Sequence, residues 1–391
     1  MKNDNYLGFY RGLYVTAFIP YLSYIFPFIP STIGGFNLTG WSWLLMLFIV
    51  FYYLLQDQSK KEFPIVFWIP WIVFLLLYVA VDFSKPGLQL TAQYILPILI
   101  GYVASGFTYS KERLHLIYKG FMNLSFIVLV LFFYGQFLRQ GYIAMSALTP
   151  MLLVVTAAVV AGLYFITGRI MFMVLFGVFF MVPVIGVNRM AIAAYLAVFL
   201  LHFANRKIIT KVAAGIVVAL AALAVFNSTG FQEKTFVEGQ GKMSELSLNY
   251  YESGEGVNTS GRSSFMRYYE KGLAEAPLLG NGPRSDAELL KTQLSESAAV
   301  EVCNDYIAVR YCYGYIGLGL LLLAMLLTFM SLYMKYSVEK DNYRVLVQST
   351  SMVLFIVMLM FMYSDNILKY TVFFPDLMFA MIGMSFAKYE A

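Results

Sequence analysis

Charge is scarce in this chain. Only 13% of its 391 residues are Asp, Glu, Lys or Arg, against about a quarter in an ordinary soluble domain. A surface with half the usual charge cannot face water all round, which excludes a soluble enzyme and a nucleic-acid-binding protein. Cysteine is nearly absent as well. Cys303 and Cys312 are separated by about 13 Å if both lie on one helix, whereas a disulfide needs Cα atoms within about 7 Å. No bridge is expected, and a secreted disulfide scaffold is excluded. Histidine occurs only at His115 and His202, and no Asp-x-Asp pair occurs, so no metal site is legible. Internal repeats are missing too, and with them the inverted halves common in secondary transporters. The N-terminus shows no leader with a cleavage site, so the first apolar segment is expected to remain as a membrane span.

What the chain has instead is apolar length. Hydrophobic residues make up 60% of it, and a spanning helix needs about 20 mostly apolar residues. Windows of that size predict twelve spans, roughly 12–30, 40–55, 64–81, 88–107, 120–138, 147–166, 169–187, 189–204, 210–227, 307–333, 345–363 and 367–386. The charges avoid these windows and crowd into 228–310, which holds 12 acidic and 8 basic side chains. The expected fold is therefore an all-α polytopic membrane bundle. It divides into spans one to nine (1–227), a long outer loop (228–306) and spans ten to twelve (307–391). With the N-terminus inside, the inner segments carry 15 Lys and Arg and the short outer loops 4. The positive-inside rule, which ignores long loops, then places both termini in the cytoplasm and the long loop outside.

The loop has its own pattern. Residues 263–275 show helical spacing, and LLGNGPRSD offers a tight turn on Gly280, Gly282 and Pro283. Ser285 with Glu288 matches a capping box, predicting a second helix that runs to about Ala298.

Three segments resemble one family, in that family's order. PVIGVNRMAIAAYLAVFLLHF, from residue 183, is similar to the arginine-bearing segment of bacterial O-antigen polymerases and ligases. GRSSFMRYYEKGLAEAPLLGNGPRSD (261–286) resembles their loop segment, and VCNDYIAVRYCYGYIGLGLLLLAML (302–326) the start of their tenth span. The resemblance implies a GT-C-like membrane glycosyltransferase of the bacterial inner membrane, with the long loop periplasmic. It also implies lipid-linked oligosaccharide on undecaprenyl pyrophosphate as both donor and acceptor. Membrane lipids surround such a protein, a chain-length regulator is a further partner, and no cofactor is called for. The ligases carry a histidine before the asparagine of the third segment. Cys303 stands there in this chain, and His115 and His202 fall on the cytoplasmic side, so the resemblance favours a polymerase over a ligase. A lipid-linked glycan flippase or transporter is the rival class.

Glycosyl transfer from a pyrophosphate lipid must neutralise the leaving phosphate and deprotonate an acceptor hydroxyl. With no metal legible, arginine is expected in the metal's place. Arg189 opens the eighth span at its outer end, where the helix dipole disfavours a cation unless an anion joins it. Asn188 and free backbone N–H groups there would add donors; the bland alternative is snorkelling to lipid headgroups. Arg262 and Arg284 flank the loop helix and the glycine turn; alone they read as solvated charges, and the resemblance implies pyrophosphate contacts for them, as it does for Asn304. Arg310, an arginine at membrane depth, needs a partner or a site. It either pairs with Asp376 of the last span or holds phosphate with Asp376 orienting it. Glu301 and Asp305 bracket Cys303 and Asn304 and are the candidate bases, although acids are favoured at a helix start in any case.

Overall fold

The structure, a computed structural model, describes residues 5–26, 28–56, 59–138, 148–203, 208–245, 256–258, 262–293 and 303–390. It is mostly α-helical. In chain order the helices are α1 (Asn5–Phe18), α2 (Leu22–Ile25), α3 (Leu38–Gln56), α4 (Ile69–Val81), α5 (Lys85–Ala104) and α6 (Lys111–Phe133). Then come α7 (Leu148–Thr167), α8 (Ile170–Ile185), α9 (Arg189–His202) and α10 (Ile208–Phe226). The loop contributes α11 (Thr229–Thr235), α12 (Arg262–Glu275) and α13 (Ser285–Gln293). Three more close the chain: α14 (Asp305–Val338), α15 (Asn342–Ser364) and α16 (Pro375–Phe386). Seven of them, α3, α5, α6, α7, α10, α14 and α15, are long and apolar enough to cross a membrane, and α4, α8, α9 and α16 are shorter apolar helices.

Burial sorts these helices into a centre and a rim. Every residue of α16 is buried, as is the run from Thr149 to Gly162 of α7. By contrast α10 is apolar along its length yet has almost no buried face, which is the pattern of a helix turned to lipid. The contact between α16 and α5 depends on two glycines. A side chain at Gly383 would strike the Gly101 backbone, and one at Gly101 would lie 3.1 Å from the Phe379 carbonyl oxygen. Lipid gives helices no hydrophobic reason to associate, so small residues that let backbones approach are what hold such pairs.

Prolines set several boundaries differently from the apolar windows. The first helix starts early, at Asn5, and ends at Phe18; Pro20 then sits in a short 3-10 turn before α2. The window 367–386 is α-helical only from Pro375, after a 3-10 turn at Thr371–Phe373, because proline disfavours helical geometry in the residue before it, and Phe374 sits at φ −140°. The capping box expected at Ser285 does not form. Arg284, at φ +70°, holds the cap position with its carbonyl oxygen accepting from Ala287 and Glu288. The Ser285 hydroxyl instead donates back to Gly282 at 2.7 Å. That helix is described to Gln293; the stretch toward Ala298 lies outside the described residues.

The tenth window hides the largest departure. Helix α14 is broken at Gly314, which adopts φ +66° and ψ −169°. Left-handed backbone suits glycine and costs other residues about 1–2 kcal/mol, and here any Cβ would also collide with the Leu278 carbonyl. Gly314→Ala should therefore lower unfolding stability by well over 2 kcal/mol. Gly319→Ala, where nothing stands within 4 Å, should change it by less than about 0.5 kcal/mol. Thermal unfolding of the detergent-purified variants checks the pair.

Candidate functional site

A break in a helix strands backbone groups on both sides, and in a membrane protein these must find partners within the protein. The glycine turn of the long loop supplies them. Asn281 and Gly282 donate their N–H groups to the carbonyls of Tyr311 and Cys312 at 2.9 and 3.0 Å, before the break. Beyond it, the N–H groups of Tyr315 and Ile316 donate to Pro277 and Leu278 at 2.9 and 3.1 Å. The Asn281 side chain ties the turn to Gly272 of α12 at 3.1 Å, and the Tyr78 hydroxyl donates to the Leu279 carbonyl. Residues 277–282 thus replace the missing turn of α14. The two stretches 261–286 and 302–326, picked out separately in the sequence, meet at this point.

Below the turn lies a buried ion pair. Lys369 Nζ is 2.7 Å from Asp286 Oδ2, with side chains 4% and 0% exposed. The Cys312 thiol donates to the other Asp286 oxygen at 3.4 Å, and Tyr269 donates to the Asp286 carbonyl at 2.9 Å. Burial alone would push the Asp286 carboxyl up. Lys369 beside it, helped by Arg284 and the Cys312 thiol, outweighs burial and holds it below the ordinary carboxylate range. The pair fastens α13 to the connector between α15 and α16. Asp305 fastens the same connector from another side, its Oδ2 accepting from the Leu368 N–H at 3.0 Å.

The candidate residues fall into two places. Around the break are Arg284, Asn304, Asp305 and Arg310. Asn304 caps α14 by accepting from Ile307 at 3.1 Å, and Asp305 is fully buried. Arg310 is partly buried, with its guanidinium 4.2 Å from the centre of the Tyr315 ring. It makes no hydrogen bond or ion pair among the described residues, and its Nε is sealed from water. An Arg310–Asp376 pair does not form. The break leaves Arg310 on the short N-terminal piece of α14, packed against α12 and α13, while Asp376 sits fully buried at the start of α16. Thr371 lies beside Asp376 without closing a hydrogen bond of normal geometry.

The second place is the corner between α8 and α9. Asn188 caps α9, accepting from Ala191 at 3.1 Å, and Arg189 donates to the Asn258 carbonyl at 3.3 Å. Lys234 of α11 donates to Gly186 at 3.0 Å. Partial burial and then the neighbouring Arg189 charge push the Lys234 ammonium down from its usual value. Arg189 thus stands at the positive end of α9 and Lys234 at the C-terminal, negative end of α8, side by side at one corner. Arg262 begins α12, but its side chain, like Glu301 entirely, lies outside the described residues.

Several of these groups were not singled out in the sequence. Lys369 is a cation inside the last apolar window, 367–386, itself a signal of function or pairing. Asp286 closes the GNGPRSD turn, whereas nothing marked Lys234 or Tyr315. Among the described residues no three His, Cys, Asp or Glu side chains converge as a metal site requires. Comparison with known proteins adds no identity: no family model matches the chain, and no well-characterised protein is significantly similar to it.

Lys369→Met should cost about 3–5 kcal/mol of stability, since it strands a buried carboxylate, while Lys369→Met with Asp286→Leu should recover most of that loss. Because the Asp286 carboxyl is depressed, its contribution is fully present above the unfolded value of about 4 and fades as pH falls through the lower folded value. Without the lysine, burial raises the Asp286 carboxyl, so the wild-type increment over Lys369→Met should grow as pH rises from 4 toward 8 and shrink below pH 4, as read by unfolding across that range.

Proposed function

We propose that this chain polymerises oligosaccharide repeat units carried on undecaprenyl pyrophosphate, as in O-antigen or capsular polysaccharide synthesis. In this reading α1, α3 to α10 and α14 to α16 are twelve spans of a GT-C-like bundle in the bacterial inner membrane. Both termini are cytoplasmic and the loop is periplasmic. The growing glycan leaves its lipid and joins the next lipid-linked unit. The acceptor hydroxyl oxygen attacks the anomeric carbon, the bond from that carbon to phosphate breaks, and the lipid pyrophosphate departs.

The observation that carries the reading is Arg310. It is a partly buried cation held over an aromatic ring, without an anion among the described residues, beside the junction of the two family-like segments. An arginine so placed offers several N–H donors and a fixed charge to a pyrophosphate, and preorganised charge at a leaving group is the largest usual source of rate. Arg284, strained and adjacent to Asp286, and Arg262 would border the same lipid. Arg189 with Lys234 is a second anion-attracting corner, suited to the other lipid substrate. The hydroxyl proton needs a carboxylate. Asp305 is taken up in holding the connector, so the reading assigns the base to Glu301. Cys303, where the ligases have histidine, favours polymerase over ligase.

Purified protein incubated with lipid-linked repeat units should extend them, and Arg310→Ala should slow extension about 100- to 1,000-fold without shifting the thermal midpoint. Arg310→Lys should keep part of the activity. Normal chain lengths from Arg310→Ala, read on a gel, would refute the assignment.

A further inference from the structure

A groove of about 430 Å³ runs between α1 and α6, lined by residues of those two helices. The helices that form it are parallel. Phe9 packs on Phe107, the Tyr10 and Tyr109 hydroxyls are 2.9 Å apart, and the Tyr14 hydroxyl donates to Ile117 at 2.8 Å. Their numbers thus rise together. Gly120 makes the floor, because any side chain there would strike the Tyr14 ring.

This register puts Arg11 of α1 and Lys119 of α6 on opposite walls, roughly 5 Å apart along the axis. Both are exposed, neither has a hydrogen-bond or ion-pair partner among the described residues, and no acid lines the groove. One turn further along α6 is Asn123; beyond it the walls are apolar, formed by Val15, Phe18, Leu124 and Ile127. From Lys119 to Ile127 the groove is about 12 Å long. Val15 and Ile127 are about half exposed, so the groove opens sideways, toward the surface that an apolar bundle turns to lipid.

We propose that this groove is a binding site for an anionic membrane phospholipid. The phosphate lies between Arg11 and Lys119, the Asn123 amide meets the glycerol or ester oxygens, and one acyl chain follows the apolar walls. Two cations without a counter-charge select an anionic head. The apolar length favours a lipid over a free phosphate, which gains nothing from it. The site is independent of the glycan reading and uses none of its residues.

The test is titration of the full-length protein in detergent with short-chain phosphatidylglycerol, with phosphatidylcholine and glycerol 3-phosphate in parallel, read by native mass spectrometry. Phosphatidylglycerol should bind the wild type more tightly than phosphatidylcholine does. Arg11→Gln with Lys119→Gln should weaken phosphatidylglycerol about thirtyfold and leave phosphatidylcholine unchanged, while Arg11→Lys with Lys119→Arg should bind as wild type. Ile127→Trp, which fills the channel and keeps both charges, should weaken the lipid. Equal phosphatidylglycerol binding by the Gln pair would overturn the site. Glycerol 3-phosphate binding as tightly as the lipid would mean a free-phosphate site and would overturn it equally.

Discussion

The interruption of α14 at Gly314 is the constraint on which the loop-bearing half of the molecule depends. A helix of 34 residues would run about 51 Å, far beyond a hydrocarbon core of about 30 Å. Breaking it leaves a spanning piece of ordinary length and a short piece that turns over the bundle. The break exposes carbonyls at Tyr311 and Cys312 and N–H groups at Tyr315 and Ile316, and residues 277–282 satisfy all four. Loop and helix therefore specify each other: the glycine permits the break, and the break gives the glycine turn four backbone partners.

Charge then follows backbone. Once the turn is seated, α13 points Asp286 down into the bundle, and Lys369 meets it from the connector before α16. A buried pair of this kind adds little net stability over an apolar substitute, yet removing one partner is costly; its physical effect is to fix where α13 and the connector sit. That placement leaves Arg310 on Tyr315 with its charge uncompensated among the described residues. Asp286 of α13 and Lys369 of the connector are thus paired, while Arg310 of α14 is left without an anion among the described residues.

Much of the fold was legible because the apolar windows are long and the charges stay out of them. The loop helix at 263–275 was readable from periodicity, and α12 lies at Arg262–Glu275. What escaped was governed by single residues whose effect is conformational. Gly314 inside an apolar run looks like any tolerated glycine until the Leu278 carbonyl is seen against it. Ser285 and Glu288 satisfy the capping pattern, but Pro283 and the left-handed Arg284 deliver the chain at an angle that sends the hydroxyl to Gly282. At the site, Arg284, Asn304, Asp305 and Arg310 were visible as types. Their division into structural and open groups was not, because it depends on a break that turns Arg310 away from Asp376 and on a connector that consumes Asp305.

The most direct measurement is an experimental structure, by electron cryomicroscopy in lipid nanodiscs, with an undecaprenyl-pyrophosphate-linked unit bound. The expected result is residues 277–282 seated in the break of α14 and pyrophosphate density against the Arg310 guanidinium. A continuous α14 with the turn displaced, or the pyrophosphate bound away from Arg310, would contradict it.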